Sequence, residues 1–322
     1  MSLLYPLRFH PILRRYLWGG RRLETLAKSL GPGNDYAESW EIVDHGHDQS
    51  VVAEGPLAGH TLGELVRQHP RALLGRHAQA GRFPLLFKFL DAHDRLSIQV
   101  HPDDARARRL DPPDLGKTEA WVILAAEPGS YLYAGLRPGI DRQTLEREVP
   151  RHTCELCVER IEPRAGDCYF LPAGVVHALG PGLLIAEIQQ SSDTTYRLYD
   201  WNRVGPEGQP RKVHVEAALE AIDYAYGPVS AQQPQPTAQE QVERLVACDK
   251  FILDRWKLSG DLAAGGDDRC HILAVLDGAI DVAGDPAGRP LERGSITLLP
   301  AELGQVAVKA RGSAVVLDAY LP

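Results

Sequence analysis

The sequence predicts a mainly β protein in which strands and tight turns enclose a polar site. One observation is the segment 166–177, in which glycine and proline bracket an apolar run that ends at His177. Glycine and proline at such positions favour a turn, a strand and a sharp reversal. The other observation is the segment 96–102, where strand alternation puts Gln99 and His101 on one face. We expect these strands to form the wall of a barrel, with a few helices outside it.

The other elements follow from local patterns along the chain. Apolar residues at helical spacing predict helices, and apolar runs with period-two alternation predict strands. The expected helices are 23–30, 62–74, 103–110 and 144–149. The expected strands of the first part of the chain are 38–43, 85–90, 96–101, 117–124, 168–171 and 183–189.

Two charged residues interrupt these apolar strands. Lys88 alternates with apolar neighbours, so its side chain either reaches outward to solvent or faces the site. Glu187 lies within the run 183–189, and an unpaired buried carboxylate costs several kcal/mol. Glu187 must therefore face a site, a cation or solvent.

Composition excludes several classes of protein. The chain has 322 residues, of which 44% are hydrophobic, so it can bury an ordinary core. A net charge of -8 without long basic runs argues against nucleic acid as a partner. We expect no membrane segment and no signal peptide, because no apolar stretch is long enough. Five cysteines at irregular spacing argue against disulfides and favour the cytoplasm.

The segment 166–177 matches the second cupin motif, G(X)5PXG(X)2H, at each fixed position. Gln99 and His101, followed by Glu119, form a variant of the first cupin motif, with glutamine where many cupins have histidine. The expected fold is therefore a cupin (jelly-roll) barrel. Its expected metal ligands are Gln99, His101, Glu119 and His177, a set of two imidazoles, an amide and a carboxylate that suits a divalent ion.

The composition of 231–241, rich in Gln, Pro and Ala, is typical of a linker and predicts a domain boundary. We expect a catalytic cupin domain with a helical cover at 1–236 and a smaller cupin-like domain at 237–322. The segment 294–300 repeats the glycine-to-proline spacing of the second cupin motif, but Gln305 stands where the first copy has His177. The C-terminal domain is therefore expected to lack a metal site.

Three longer strings carry a family resemblance: LSIQVHPDD at 96–104, GKTEAW at 116–121 and AEIQQSSDTTYRLYDWNR at 186–203. They resemble type I mannose-6-phosphate isomerase (phosphomannose isomerase) in its short bacterial form. The resemblance implies a hexose 6-phosphate substrate, interconversion of mannose 6-phosphate and fructose 6-phosphate, and one zinc ion per chain. Iron, manganese or cobalt could use the same ligands, so the choice of zinc comes from the family.

The resemblance also implies that four residues near the metal are catalytic. Arg197, together with the metal, is expected to stabilise the charge of an enediolate intermediate. Lys117 shares a strand face with Glu119 and is expected either to meet the phosphate or to assist proton transfer. The first candidate for the general base is Glu187, with Asp193 and Lys117 as the other candidates. The resemblance also favours an orientation in which the side chain of Lys88 faces the site.

Two other classes of function compete with the isomerase. One is a non-catalytic metal-binding cupin that senses a sugar phosphate, although no part of the chain resembles an output domain. The other is a cupin oxygenase or epimerase, which gives no reason for Lys117 and Arg197 beside the metal. The isomerase is expected to act as a monomer or weak homodimer.

Overall fold

The computed structural model describes residues 4–204 and 208–322, and it confirms the mainly β fold with few helices. Two antiparallel sheets hold the predicted site. The six-stranded sheet runs in the spatial order Cys168–Leu171, Glu119–Ala126, Leu183–Gln190, Leu85–Ala92, Tyr36–Ile42 and Ile12–Gly20. The five-stranded sheet runs in the order Val158–Ile161, Leu132–Leu136, His177–Leu179, Ile98–Val100 and Tyr196–Tyr199.

The six-stranded sheet is buried on both faces, which explains why its strands contain nearly continuous apolar runs. On the inner face, Trp121 and Ile123 pack against the five-stranded sheet through residues such as Leu179. On the outer face, Ala120 and Val122 belong to a core shared with the C-terminal part of the chain. Because successive side chains of a strand point to opposite faces, one strand can serve both cores.

The C-terminal part of the chain forms a third antiparallel sheet, here called the C-terminal sheet. Its strands are Gln235–Pro236, Val242–Ala247, Ile252–Leu258, Gln305–Tyr320, His271–Val282 and Leu291–Glu292, with Asp261–Gly265 beside Gln305–Tyr320 and Ile296–Leu299 beside His271–Val282. Leu7 exchanges backbone hydrogen bonds with Leu298, at 2.8 and 2.9 Å. This sheet covers the outer face of the six-stranded sheet.

Short elements connect the sheets. Two small strand pairs join Phe9–His10 to Val51–Val52 and Asp44–His45 to Asp48–Gln49. The α-helices are Leu62–Gln68, Pro70–Leu74, Asp104–Ala107, Arg142–Glu148 and Val215–Ala221. The 3-10 helices are Arg22–Leu26, Gly75–Ala80, Cys154–Cys157 and Ala301–Leu303. Within the described ranges, no helix has both the length and the apolar character needed to cross a membrane.

Three expected helices are shorter than the sequence pattern predicts. The helix expected at 103–110 spans only Asp104–Ala107. The helix expected at 62–74 is interrupted at His69, because Pro70 has no N–H to continue the hydrogen-bond ladder and begins a second helix. The helix expected at 23–30 is a single 3-10 segment. It ends where Ala27 adopts the left-handed conformation, with φ of 56°.

Candidate metal centre and active site

Strand pairing places the expected ligands side by side on the inner faces of the two sheets. In the five-stranded sheet, Gln99 is paired with His177 on one side and with Arg197 on the other. Directly paired residues point to the same face, about 5 Å apart at Cβ. Glu119 begins a strand of the six-stranded sheet. The row of three side chains therefore faces a carboxylate from the other sheet.

The turn of the second cupin motif helps to position the first one. Gly174 has a φ of +90°, in the left-handed region that favours glycine. Its N–H donates to the carbonyl of His101 at 2.9 Å. The two motifs, distant in sequence, are therefore joined at the point where each supplies an imidazole.

Three buried side chains converge there, and we call them the ligand cluster: His101, Glu119 and His177. Their candidate ligand atoms all lie within 4.8 Å of one another. The Nε2 atom of His101 is 3.5 Å from Glu119 Oε2, and Nε2 of His177 is 3.3 Å from Glu119 Oε1. Each of the three residues is 1% exposed. This arrangement could hold a divalent metal ion.

Hydrogen bonds orient both imidazoles for metal binding. The Nδ1 atom of His101 lies 2.9 Å from the carbonyl of Thr194, and Nδ1 of His177 lies 2.9 Å from the carbonyl of Val175. A carbonyl only accepts, so each Nδ1 carries the hydrogen and each Nε2 presents a lone pair. The second ring nitrogen of each histidine therefore faces the cluster in the form that binds metals.

Burial and a nearby positive charge keep these rings neutral. Burial, reinforced by the neighbouring ammonium of Lys117, lowers the pKa of His177 to about 3. The same two causes hold the pKa of His101 well below its usual value. Both imidazoles are therefore unprotonated at neutral pH, which is the state required of a ligand.

The remaining groups of the cluster also fit a metal ion. Oε1 of Glu119 is buried and has no hydrogen-bond partner in the described parts of the chain. The amide nitrogen of Gln99 lies 3.4 Å from Nε2 of His177, at the edge of the cluster, and its Oε1 atom accepts from Ser97 Oγ at 3.1 Å. The two neutral imidazoles and the carboxylate could hold zinc or a related divalent ion.

Lys117 lies within the ligand cluster. Its ammonium donates to Glu119 Oε2 at 2.6 Å and lies 3.0 Å from Nε2 of His101. It is also 3.9 Å from Glu187 Oε1. Lys117 therefore supplies a positive charge between the ligand cluster and the carboxylate expected to be the base.

Glu187 and Lys88 form a second buried group next to the cluster. The ammonium of Lys88 is 3.2 Å from Glu187 Oε1 and 3.5 Å from Glu38 Oε2. Burial alone would lower the pKa of Lys88, but the carboxylates of Glu187 and Glu38 outweigh it and raise that pKa. Lys88 therefore faces the site as a cation, the orientation that the family resemblance favoured.

The two other expected catalytic residues line the rim of the same pocket. Arg197 is partly buried, and its Nε atom has no hydrogen-bond partner among the described residues. Asp193 is open to the pocket, yet the surrounding protein atoms desolvate it and raise its pKa, with Glu38 adding to the shift and Lys88 opposing it. The pocket thus contains Arg197, Lys117, Glu187 and Asp193 together.

Several residues of this pocket were not expected from the sequence. Trp121 donates its indole N–H to Glu187 Oε2 at 2.9 Å. Glu38 pairs with Lys88 and accepts from the indole of Trp40 at 2.5 Å. Trp121 lies two residues after Glu119, so strand alternation could have placed it on the inner face. Other pocket residues that were not expected are Tyr16, Trp18 and Arg211.

Comparison with known proteins gives one consistent family. Residues 7–129 match the family model described as phosphomannose isomerase type I, catalytic domain. Mannose-6-phosphate isomerase ManA of Bacillus subtilis is 33% identical over 316 residues, covering 97% of this chain and 98% of the relative. Mannose-6-phosphate isomerase of Streptococcus mutans is 33% identical over 300 residues, covering 92% of each chain.

A solved structure agrees with these relatives. The crystal structure of mannose 6-phosphate isomerase from Bacillus subtilis superposes with a TM-score of 0.89, at 29% identity over 98% of this chain and 99% of the other. The match confirms the expected cupin fold. Sequence identity above 30% over nearly the whole chain and a shared fold lead to one conclusion: the chain belongs to the type I phosphomannose isomerase family.

Proposed function

We propose that the protein is a metal-dependent aldose-ketose isomerase that interconverts mannose 6-phosphate and fructose 6-phosphate through an enediolate. The observation that carries this proposal is that two kinds of group lie side by side. The neutral imidazoles of His101 and His177 lie next to Lys117, and Lys117 lines a pocket together with Glu187 and Arg197. A proton transfer between C1 and C2 needs these parts: an electrophile, a base and positive charge near the developing oxyanion.

Zinc is the proposed metal, and Gln99, His101, Glu119 and His177 are its proposed ligands. When bound, the metal supplies Lewis acidity to the substrate oxygens. The family membership and the neutral imidazoles beside a single carboxylate support this assignment. The chain's own residues then have to move the proton and stabilise the remaining charge.

Glu187 is the proposed general base. Its Oε2 atom is held by the indole of Trp121, while its buried Oε1 atom has no hydrogen-bond partner in the described residues. Oε1 therefore keeps a lone pair that can accept a proton, and Lys88 and Lys117 nearby can stabilise the carboxylate between transfers. Asp193, at the rim, is the alternative base.

Arg197 is the proposed residue that stabilises the enediolate. Its position beside Gln99 in the strand pairing puts the guanidinium next to the ligand cluster. A planar guanidinium matches two adjacent oxygens and stays charged through the reaction. Of the two roles expected for Lys117, we propose the assistance of proton transfer, because its ammonium is within 3.0 Å of a ligand atom.

The organisation of the chain is also part of the proposal. We assign catalysis to residues 1–236 and a supporting role to residues 237–322, which we propose have no metal site. The five free cysteines support a reducing compartment such as the cytoplasm. We propose that the protein acts there as a monomer or weak homodimer, without nucleic acid or membrane partners.

The test is a coupled assay of fructose 6-phosphate formation from mannose 6-phosphate, on protein stripped with a chelator and then given zinc. We expect activity to disappear with the metal and to return with it, while circular dichroism shows that the protein stays folded. Folded, zinc-loaded protein that binds the sugar phosphate without turnover would favour the sensor instead. An Arg197→Lys variant with full turnover would remove Arg197 from its proposed role.

A further inference from the structure

Two arginines, Arg203 and Arg211, flank the buried carboxylate of Asp200, and Arg197 lies close enough to Arg211 for their charges to interact. Arg203 donates to Asp200 Oδ1 and also to the carbonyl of Arg95 at 2.6 Å, so its guanidinium is already bonded. Arg211 is 3.5 Å from Asp200 Oδ2, and that oxygen has no hydrogen-bond partner in the described ranges. Arg197 has no ion pair within the described part of the chain. The group therefore carries more positive charge than Asp200 balances.

Part of this excess charge faces the pocket. Arg211 and Arg197 both line it, whereas Arg203 does not. The charged residues of the lining are four cations and three carboxylates: Lys88, Lys117, Arg197, Arg211, Glu38, Glu187 and Asp193. The lining residues alone therefore carry one more positive than negative charge.

The two lysines of the pocket already have partners near the reacting end, and Arg197 is the residue proposed to stabilise the enediolate. Lys117 is bonded to Glu119 and close to His101, and Lys88 lies between Glu187 and Glu38. In a hexose 6-phosphate, the phosphate and the C1–C2 pair are at opposite ends of the molecule. A sugar whose C1–C2 end lies at the ligand cluster must therefore place its phosphate farther out, toward the rim.

We propose that Arg211, a partly exposed cation of the pocket lining, is the residue that binds the substrate phosphate. This inference rests on the proposed function, because it assumes a hexose 6-phosphate with C1 and C2 at the ligand cluster. A guanidinium offers two parallel N–H donors to a phosphate, a pairing both strong and directional. Arg211 makes no hydrogen bond with Asp200 in the described residues, so these donors are available.

The electrostatics at this position support the assignment. Burial, together with the positive charges of Arg197 and Arg203, lowers the pKa of Arg211, and Asp200 only partly opposes them. A dianion placed against Arg211 would relieve this repulsion. The side chain of Arg211 is 27% exposed, so a phosphate group can reach it from solvent.

The test compares Arg211→Ala with Lys212→Ala. Lys212 is the adjacent, exposed residue and is absent from the pocket lining, so its removal deletes the same charge without touching the site. For Arg211→Ala we expect KM for mannose 6-phosphate to rise roughly ten- to a hundredfold, with kcat within about threefold of the starting enzyme. The inhibition constant of inorganic phosphate should rise in parallel, and Lys212→Ala should match the starting enzyme.

The inference is wrong if Arg211→Ala keeps the original KM and phosphate inhibition constant, or if kcat falls while KM is unchanged. If the unmodified, zinc-loaded protein does not isomerise mannose 6-phosphate, the proposed function fails instead. Calorimetric binding of inorganic phosphate to the unmodified protein, Arg211→Ala and Lys212→Ala then tests Arg211 separately. Loss of binding in Arg211→Ala alone would still identify an anion site, and equal binding in all three would exclude it.

Discussion

His177 in the ligand cluster and His271 in the C-terminal sheet are buried to similar depths, at 1% and 5% exposure. The ring of His177 is neutral, whereas the ring of His271 is a cation. The ring of His177 has a backbone carbonyl on Nδ1 and a lowered pKa. The ring of His271 lies between two carboxylates, with Nδ1 2.9 Å from Asp318 and Nε2 3.1 Å from Asp267. These carboxylates outweigh burial and raise its pKa to about 10.

The hydrogen bonds of the two rings explain why only one of them could bind a metal. Both nitrogens of His271 donate to carboxylates, so neither has a lone pair for a metal. Its environment is completed by the ring of Tyr320, at 4.5 Å between centroids, and by Asp254, whose charge also acts on Asp318. Similar burial on similar strands thus produces an ion-paired imidazolium in one sheet and a neutral imidazole in the other, because the neighbouring charges differ.

The largest effect is expected from replacing His177 of the ligand cluster with the residue type found at the matching position of the C-terminal sheet. His177→Gln puts at this position the residue type that Gln305 supplies in the second copy of the motif. An amide is a weaker ligand than imidazole, so zinc content should fall and turnover should drop on the order of a thousandfold. Elemental analysis and the coupled assay measure both, with a thermal melt to check folding. Full zinc content with full turnover would contradict the assignment of His177 as a ligand.

The next largest effect is expected from removing the structural histidine. His271→Leu leaves Asp318 and Asp267 without their shared cation, and uncompensated buried charge destabilises a protein by about 3 kcal/mol or more. Burial already raises the pKa of Asp318, so this carboxyl can take up a proton and limit the cost. Urea unfolding measures the change. His10 is exposed, so His10→Leu is the matched control and should leave the free energy of unfolding nearly unchanged.

Measuring the zinc content of His271→Leu tests whether His271 influences metal binding at the ligand cluster. His271→Leu, assayed where it is folded, should retain the metal, because His271 belongs to a different sheet from the ligand cluster. Loss of zinc in this variant without loss of folding would show that His271 affects metal binding at the ligand cluster.

A smaller effect is expected from pH. The pKa of His271 is raised in the folded protein to about 10 from 6.5, so its charge stabilises the fold fully below about pH 6.5. This contribution is lost as the pH rises toward 10. We expect the difference in unfolding free energy between the unmodified protein and His271→Gln, measured from pH 6 to pH 10, to report the contribution of His271 alone. Other titrating groups change both proteins equally. The gap between the two proteins should shrink with rising pH, and a constant gap would show that His271 is uncharged.

The smallest effect, close to none, is expected from restoring the missing motif histidine. Gln305→His places an imidazole at the start of the strand Gln305–Tyr320, where the residue is exposed. No zinc should be added to the content of the unmodified protein, because His271 remains an imidazolium and offers no second ligand. Elemental analysis that found additional bound zinc would show that Gln305 alone explains the loss of the site.

The sequence patterns predicted part of the site and missed part for identifiable reasons. Spacing predicted that Gln99 and His101 share a face and that His177 follows a reversal, and the structure brings these side chains together. Arg211 was missed because its segment has no strand alternation and no motif. Glu38 was missed although its strand was expected, because nothing local distinguishes a carboxylate facing a pocket from one facing solvent.

Local sequence was enough to predict the mainly β architecture, the reversal at Gly174 and the residue types of the ligand cluster, because backbone sterics and side-chain periodicity act over a few residues. The charge states depend on the three-dimensional fold. Whether Lys88 points inward, whether His177 stays neutral and whether His271 becomes a cation all depend on side chains from other strands. Electrostatic energies depend on distance in space and on burial, and neither can be read from spacing along the chain.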